Sequence, residues 1–325
     1  MADAILAVIP CLNEEQHLEK LVRDLEAATR SLPIRICIVD GGSQDRTPEI
    51  AKKLTQEYPN VLFLHNPKRI QGAAINLAVE AHGQDAEFLI RIDAHADYPH
   101  DYCKVLVDEA IATDAASVVV SMHTSGEDWF QKAVAAAQNS KIGNGGSAHR
   151  NAGNEGRWVD HGHHALMRIK PFREVGSYDE SFTHNEDAEL DMRLGKAGYK
   201  IWLTGKTKLT YYPRSTPRSL FRQYFQYGHG RARNIIKHRS LPKLRQLAPG
   251  AVLPAAVFGL LSPFMGIAAW PLEAWCALCL GYGLKLGFDA KDKRIAAAGP
   301  AAMIMHFGWS LGFWKAFLEE GRRRI

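Results

Sequence analysis

Residues 86–99 read AEFLIRIDAHADYP. An apolar run from Phe88 to Ile92, broken only by Arg91, gives way at once to Asp93, His95 and Asp97, each two residues from the next. The run has the length and composition of a buried strand. Acids and a histidine at such spacing suit a divalent cation, and they also suit an ordinary polar loop. The flanking sequence has to decide.

The same design recurs upstream. AILAVI (Ala4–Ile9), IRICIVD (Ile34–Asp40), VLFLH (Val61–His65) and ASVVVSM (Ala116–Met122) read as strands. Between them, Glu14–Leu32 carries Leu18, Leu21, Val22 and Leu25 at helical spacing. Asp45–Tyr58, Gly72–His82 and Pro99–Thr113 read as further helices, with Asp45 a candidate cap and Pro48 tolerated in a first turn. Strands alternating with helices predict an α/β fold with a mainly parallel sheet covered on both faces. Ligands in such folds bind beyond the carboxyl ends of the strands. PCLNEE (10–15), DGGSQD (40–45) and DAHAD (93–97) therefore fall on one rim.

The 325 residues are 46% hydrophobic and 23% charged, a folded composition with a net charge of +5. The start, MADAILAVIPCLNEE, has an acid where a signal peptide carries its basic region. With no export signal expected, Cys11, Cys37, Cys103, Cys276 and Cys279 read as buried thiols and not as a disulfide framework. From Arg214 to Arg245 there are nine Lys and Arg and no acid, a patch that favours phosphates. It has no nucleic-acid recognition motif, so it reads as an interfacial segment with Tyr224, Phe225 and Tyr227 dipping into lipid. Ala248–Trp270 is uncharged and, as one helix, would reach about 34 Å against a hydrocarbon core of about 30 Å. Pro271–Leu284 and Ile295–Trp314 are also apolar. Basic flanks favour two spans plus one re-entrant or interfacial helix; five prolines, from Pro249 to Pro300, keep a buried helical hairpin open. The division expected is a catalytic domain at 1–215, a basic amphipathic segment at 216–247 and membrane-associated helices at 248–325.

Gly143–Gly156 is loop-like by composition and contains GxGxxA, but no strand precedes it. No phosphate loop of the GxxxxGK[ST] type occurs. In VDHGHHALMR (159–168), strand alternation would place His161 and His163 on one face and His164 on the other. A zinc site, an extra metal ligand and a structural histidine all remain open there. NEDAELDMRL (185–194) reads as a helix with an acidic first turn, which the macrodipole alone would favour.

The ordered set PCLNEE, DGGSQDRT, GAAINLA, DAHADYP, HNEDAELDMRL and RQYFQYGHGR resembles the family 2 inverting glycosyltransferases of GT-A fold. It is most similar to their exopolysaccharide branch, typified by succinoglycan biosynthesis glucosyltransferases. The resemblance implies a UDP-sugar donor, UDP-glucose in that branch, and a polyprenyl diphosphate-linked acceptor at the cytoplasmic membrane face. Pro10, Asn13 and Glu14 would line the nucleoside pocket, Asp40 would hold the uridine, and Gly72 and Asn76 would lie beside the nucleotide. Asp93 and His95 stand where the family has D-x-D, implying a divalent cation, Mn²⁺ or Mg²⁺, with Asp97 an alternative ligand. Asp187 matches the catalytic base, with its neighbour Glu186 the second candidate; Glu189 and Asp191 are expected to face elsewhere. Gln223 and Arg231 fall roughly where many members carry Q-x-x-R-W, and the resemblance implies that they contact the nucleotide sugar. A sugar-nucleotide nucleotidyltransferase and a non-catalytic membrane scaffold are the competing readings.

Overall fold

The computed structural model describes residues 4–145 and 155–322. The glycine-rich stretch singled out above therefore lies largely outside the described residues. Strands β1 (Ile5–Cys11), β2 (Ile34–Asp40), β3 (Val61–His65) and β4 (Phe88–Arg91) alternate with helices α1 (Leu18–Thr29), α2 (Thr47–Glu57), α3 (Gln71–His82) and α4 (Tyr102–Thr113). Then follow β5 (Ser117–Thr124), α5 (Trp129–Asn139), α6 (Lys141–Asn144), β6 (Arg157–Val159), β7 (His163–Arg168), α7 (Ile169–Glu174), α8 (Glu186–Lys196) and β8 (Ile201–Tyr211). The chain ends in α9 (Pro217–His238), α10 (Leu244–Gly250), α11 (Val252–Gly259), α12 (Trp270–Asp289) and α13 (Ala298–Arg322).

The strands form one sheet in the order β3-β2-β1-β4-β7-β5-β8-β6. The β1–β2, β2–β3 and β1–β4 pairs are parallel, whereas β7 runs antiparallel to β4 and β5. Parallel strands buried on both faces need continuous apolar runs, and Ile5–Ile9 and Ile36–Val39 supply them. One face packs Leu6, Val8, Val39 and Leu89 against Ile75 and Ala78 of α3 and Leu190 and Leu194 of α8. Two paired registers set the rim: Cys11 opposite Asp40, and Asp40 opposite His65. Asp93 lies two residues beyond the end of β4.

The chain divides into two compact units. One comprises Met1–Met122 and Asn151–Thr210; the other comprises His123–Arg150 and Tyr211–Ile325. In the second unit α9 and α13 touch through glycines. A Cβ on Gly228 would stand 1.9 Å from the Trp309 carbonyl oxygen, and one on Gly312 would stand 1.9 Å from that of Phe225. Backbones approach that closely only where no side chain intervenes.

The apolar run 248–270 is not one long helix. It breaks into the end of α10, α11 and a 3₁₀ turn at Gly266–Ala269. Pro249, Pro254 and Pro263 lack the N–H that a continuous ladder requires. The run 295–314 begins in a 3₁₀ turn and continues as α13, whose Ala298, Ala301, Ala302 and Met305 are buried with Phe130 and Val134 of α5. The two spans plus one interfacial helix expected from composition are thus reduced. Among the described residues, one helical stretch, Gly266–Asp289, is long and apolar enough to cross a membrane by length and composition. All five cysteines are free.

Candidate active site

The first rim loop is built by reciprocal bonds between the turns after β1 and β2. Asn13 adopts a left-handed conformation (φ 58°), a backbone region asparagine tolerates better than most residues. Its N–H donates to Ser43 Oγ (2.8 Å), and its Oδ1 accepts from the Gln44 N–H (2.8 Å). The Glu14 N–H donates to Thr47 Oγ1 (2.8 Å). Asp45 accepts from the N–H groups of Glu15 and Thr47 and lies just before the residue that caps α2. Asp40 is buried at the end of β2, and its carboxylate accepts from the Gly42 N–H (3.0 Å) and the Ser43 N–H (3.1 Å). Backbone donors thus satisfy part of this carboxylate, whose two oxygens have about four acceptor sites in all.

Glu14 ties this loop to the next, its Oε1 lying 3.0 Å from His95 Nδ1. His95 therefore pairs with Glu14, while Asp93 has partners of its own. Asp93 Oδ1 accepts from Gln71 Nε2 (3.0 Å) and Arg91 Nε (3.2 Å), and its N–H donates to the Tyr98 hydroxyl (2.7 Å). Asp93 Oδ2 faces His163 Nε2 at 3.5 Å. Asp97 bridges to Thr210 through the backbone.

Arg91 joins the two acidic motifs. It is 6% exposed, and its Nη1 donates to Asp187 Oδ1 at 2.8 Å while Glu186 Oε1 lies 4.0 Å away. Burial pulls the guanidinium's pKa down, but the charges of Asp187 and then Asp93 outweigh it and hold the pKa well above the ordinary value. Desolvation would raise the half-buried Asp187, yet Arg91 and then His164 hold it well below the usual carboxylate range. Burial, and next the Asp187 charge, push Glu186 up to about 7. His163 lies between Asp93 and Asp187, with Nδ1 4.0 Å from Asp187 Oδ2; burial and then Arg91 push it down to about 4.

The histidines do not follow strand alternation. β7 starts only at His163, so the chain turns at residues 160–162 and returns His161 to the side of His164. Both meet Asp191: His161 Nδ1 at 2.9 Å from Oδ2 and His164 Nε2 at 2.7 Å from Oδ1. Asp191 does not face away from the site. It follows Asp187 by one helical turn, and residues four apart share a helix face. Glu189 does turn elsewhere, to Arg193.

Gly72 and Asn76 shape the site through Tyr178. A Cβ on Gly72 would stand 3.1 Å from Tyr178 Cβ. The Asn76 amide clamps the Tyr178 backbone, donating to its carbonyl (2.9 Å) and accepting from its N–H (3.0 Å). Pro10 is the penultimate residue of β1. Gln223 and Arg231 lie on α9 in the second unit, where Gln223 Nε2 donates to the Tyr211 and Tyr227 hydroxyls. Sequence motifs do not single out Arg91, Tyr178 or His164 as partners of Asp187, nor Asp191 as the partner of His164. An arginine inside an apolar strand and the Asp187–Asp191 spacing were the available signals.

The raised Glu186 gives a stability prediction. A carboxyl whose folded pKa lies above its ordinary value, here near 4.5, binds its proton more tightly when folded. It therefore withdraws stability as pH rises from that value through about 7. Glu186→Gln is expected to be more stable than the parent at pH 8, by about 1–3 kcal/mol, and equally stable below pH 4. Chemical denaturation at the two pH values checks this.

A family model described as glycosyl transferase family 2 matches residues 6–176. The succinoglycan biosynthesis protein ExoA of Rhizobium meliloti is 56% identical over 318 residues, which is 98% of this chain and 96% of that protein. A dolichyl N-acetyl-alpha-D-glucosaminyl phosphate 3-beta-D-2,3-diacetamido-2,3-dideoxy-beta-D-glucuronosyltransferase of Methanococcus voltae is 25% identical over 251 residues, 72% of this chain and 74% of its own. Among solved structures, a mannosyltransferase from Pyrobaculum calidifontis, in complex with GDP-Man and Mn²⁺, has a TM-score of 0.63 at 16% identity. That alignment covers 94% of this chain and 87% of the other, a likeness that shows the fold. With rim motifs, sheet order and close relatives in agreement, the chain belongs to glycosyltransferase family 2 and is a glycosyltransferase of GT-A fold.

Proposed function

We propose that the protein is an inverting hexosyltransferase of exopolysaccharide biosynthesis. It moves glucose from UDP-glucose to a polyprenyl diphosphate-linked saccharide at the cytoplasmic face of the membrane. The observation that carries this reading is Arg91, which binds Asp93 of one motif and Asp187 of the other in a single buried cluster. The near-full-length likeness to a succinoglycan biosynthesis protein supports the pathway. The Methanococcus voltae relative, named for a dolichyl-linked substrate, supports the acceptor class. Family membership disfavours the nucleotidyltransferase and scaffold readings.

In this scheme Asn13, Glu14 and Asp40 hold the nucleoside, with Pro10 shaping the floor of its pocket and Gly72 and Asn76 supporting it from α3. The acceptor oxygen attacks the anomeric carbon from the side opposite the diphosphate. The bond from that carbon to the phosphate oxygen breaks, and UDP leaves with its electron pair. Asp187 takes the acceptor proton, and the geometry of a single displacement inverts the anomeric centre. Asp187 is preferred over Glu186 because Arg91 and the Tyr178 hydroxyl fix its carboxylate, whereas Glu186 lies 4.0 Å from Arg91.

The donor set fits a cation shared with the substrate. Asp93 Oδ2 and His163 Nε2 face each other, with His95 two residues further along the Asp93 loop and paired with Glu14. One carboxylate plus an imidazole suits Mn²⁺, and the rest of the coordination shell would come from phosphate oxygens and water. No closed group of three or more protein ligands exists among the described residues. A bound Mn²⁺ or Mg²⁺ supplies positive charge that stabilises the departing diphosphate.

Membrane attachment rests on the second unit. Leu241, Leu244, Leu260, Phe264, Ile267 and Trp270 are exposed beside the acid-free basic run. Exposed apolar side chains near Lys and Arg match an anionic lipid surface. Gln223 and Arg231, within that run, are proposed to meet the diphosphate end of a substrate.

The test uses detergent-purified protein, labelled UDP-glucose, Mn²⁺ and a polyprenyl-linked saccharide extract. The expected result is label in the lipid phase with the anomeric configuration inverted, read by NMR. No lipid-phase label from any of a panel of UDP-hexoses would sink the proposal.

A further inference from the structure

Asp187 is held from behind by a chain of buried groups. Its Oδ1 accepts from Arg91 Nη1 (2.8 Å) and from the Tyr178 hydroxyl (3.1 Å). That hydroxyl lies 2.7 Å from His164 Nδ1, which itself stands 3.3 Å from Asp187 Oδ1. The other ring nitrogen of His164 lies 2.7 Å from Asp191 Oδ1, and Asp191 Oδ2 accepts from the Gly162 N–H (3.2 Å). Tyr178 is 2% exposed, His164 0% and Asp191 2%. None of the three has the exposure needed to meet a substrate, so they act through Asp187: Tyr178 and His164 directly, and Asp191 through His164. Buried polar groups are expensive unless every member finds a partner, and here each member does.

We propose that Tyr178, His164 and Asp191 are positioning residues that lock the Asp187 carboxylate by its Oδ1, leaving Oδ2 as the atom presented to the acceptor hydroxyl. That role presupposes Asp187 as the base. Both Oδ1 bonds come from groups fixed elsewhere. Arg91 is anchored in β4 and also holds Asp93, while Tyr178 is clamped by Asn76 and packed on Gly72. The Tyr178 hydroxyl is the link that can be removed without changing the shape of the core. Small misplacement of a catalytic group costs rate without costing binding.

The test compares Tyr178→Phe, Asp191→Asn and their double variant with the parent, using whichever UDP-hexose of a panel turns over fastest with Mn²⁺. Donor turnover with water as the acceptor gives kcat and KM, and calorimetry gives the UDP affinity. Tyr178→Phe is expected to lower kcat about tenfold, with KM and UDP affinity within about twofold of the parent. The double variant should lose less than the product of the two single losses, because both substitutions act on the same Asp187 oxygen. Two results overturn the proposal: an unchanged kcat for Tyr178→Phe, or a loss that appears in KM and UDP affinity and not in kcat. Asp187→Asn runs alongside. If that variant keeps full turnover, the base assignment itself fails. If it is inactive while Tyr178→Phe is normal, only the positioning role fails.

Discussion

Asp187→Asn is expected to lower transfer by about 10²–10⁴-fold while leaving UDP binding within about twofold of the parent. The amide keeps the shape and can still accept from Arg91 and Tyr178 through its oxygen. It cannot take a proton from an attacking hydroxyl. Because the proposed donor pocket is built from the other rim loops, the defect should appear in kcat and not in the UDP affinity. Glu186→Gln supplies the comparison. If Asp187 is the base, the glutamine variant keeps most of its turnover. If Glu186 is the base, the two variants exchange phenotypes. Steady-state kinetics on both proteins decides.

Arg91→Met is expected to be the most destabilising single change in the site. Arg91 compensates Asp93 and Asp187 and lies near Glu186, all within a region of low exposure. Removing one partner of a buried ion pair leaves uncompensated charge and costs about 3–5 kcal/mol. The penalty carries a pH signature. Without the guanidinium the Asp93 and Asp187 carboxyls bind protons more readily in the fold, so acidification neutralises them and relieves the repulsion. The variant should therefore lose most stability at pH 8 and regain part of it towards pH 5. Urea denaturation across that range tests the sign, and a pH-independent loss would mean that packing and not charge dominates.

These two predictions sit at different depths of legibility. Asp187 was visible as part of a motif placed after a predicted helix start. Arg91 was not, because nothing in an apolar run says whether an arginine points to solvent or is buried against acids from a distant segment. The same holds for Tyr178 and His164, whose partners come from α8 and are separated from them in sequence. Asp191 could have been assigned to the Asp187 face from the helical period, but the expectation of a divided acidic helix obscured it. The parallel half of the sheet was readable because its strands are buried on both faces and hence apolar throughout. The antiparallel insertion of β7 between β4 and β5 was not, since pairing partners are set by tertiary packing. In the C-terminal region composition alone favours long apolar helices over the breaks that the prolines impose. The structure shows the backbone effect winning, with the run 248–270 broken into short helices.

His95 shows how a motif match differs from a geometry. Its position fits the family's metal motif, yet its ring pairs with Glu14, while His163 approaches Asp93 from another strand. His163→Ala and His95→Ala should therefore differ, with the larger loss of cation-dependent UDP binding in the His163 variant.

The account stands on the acids of separate loops acting as one nucleotide-diphosphate site. Calorimetric titration of UDP into the intact protein, with Mn²⁺ and then with a chelator, measures this most directly when repeated on Asp93→Asn. The account predicts tight binding that needs the cation in the parent and is lost in the variant. UDP affinity that ignores both the chelator and the substitution would contradict it.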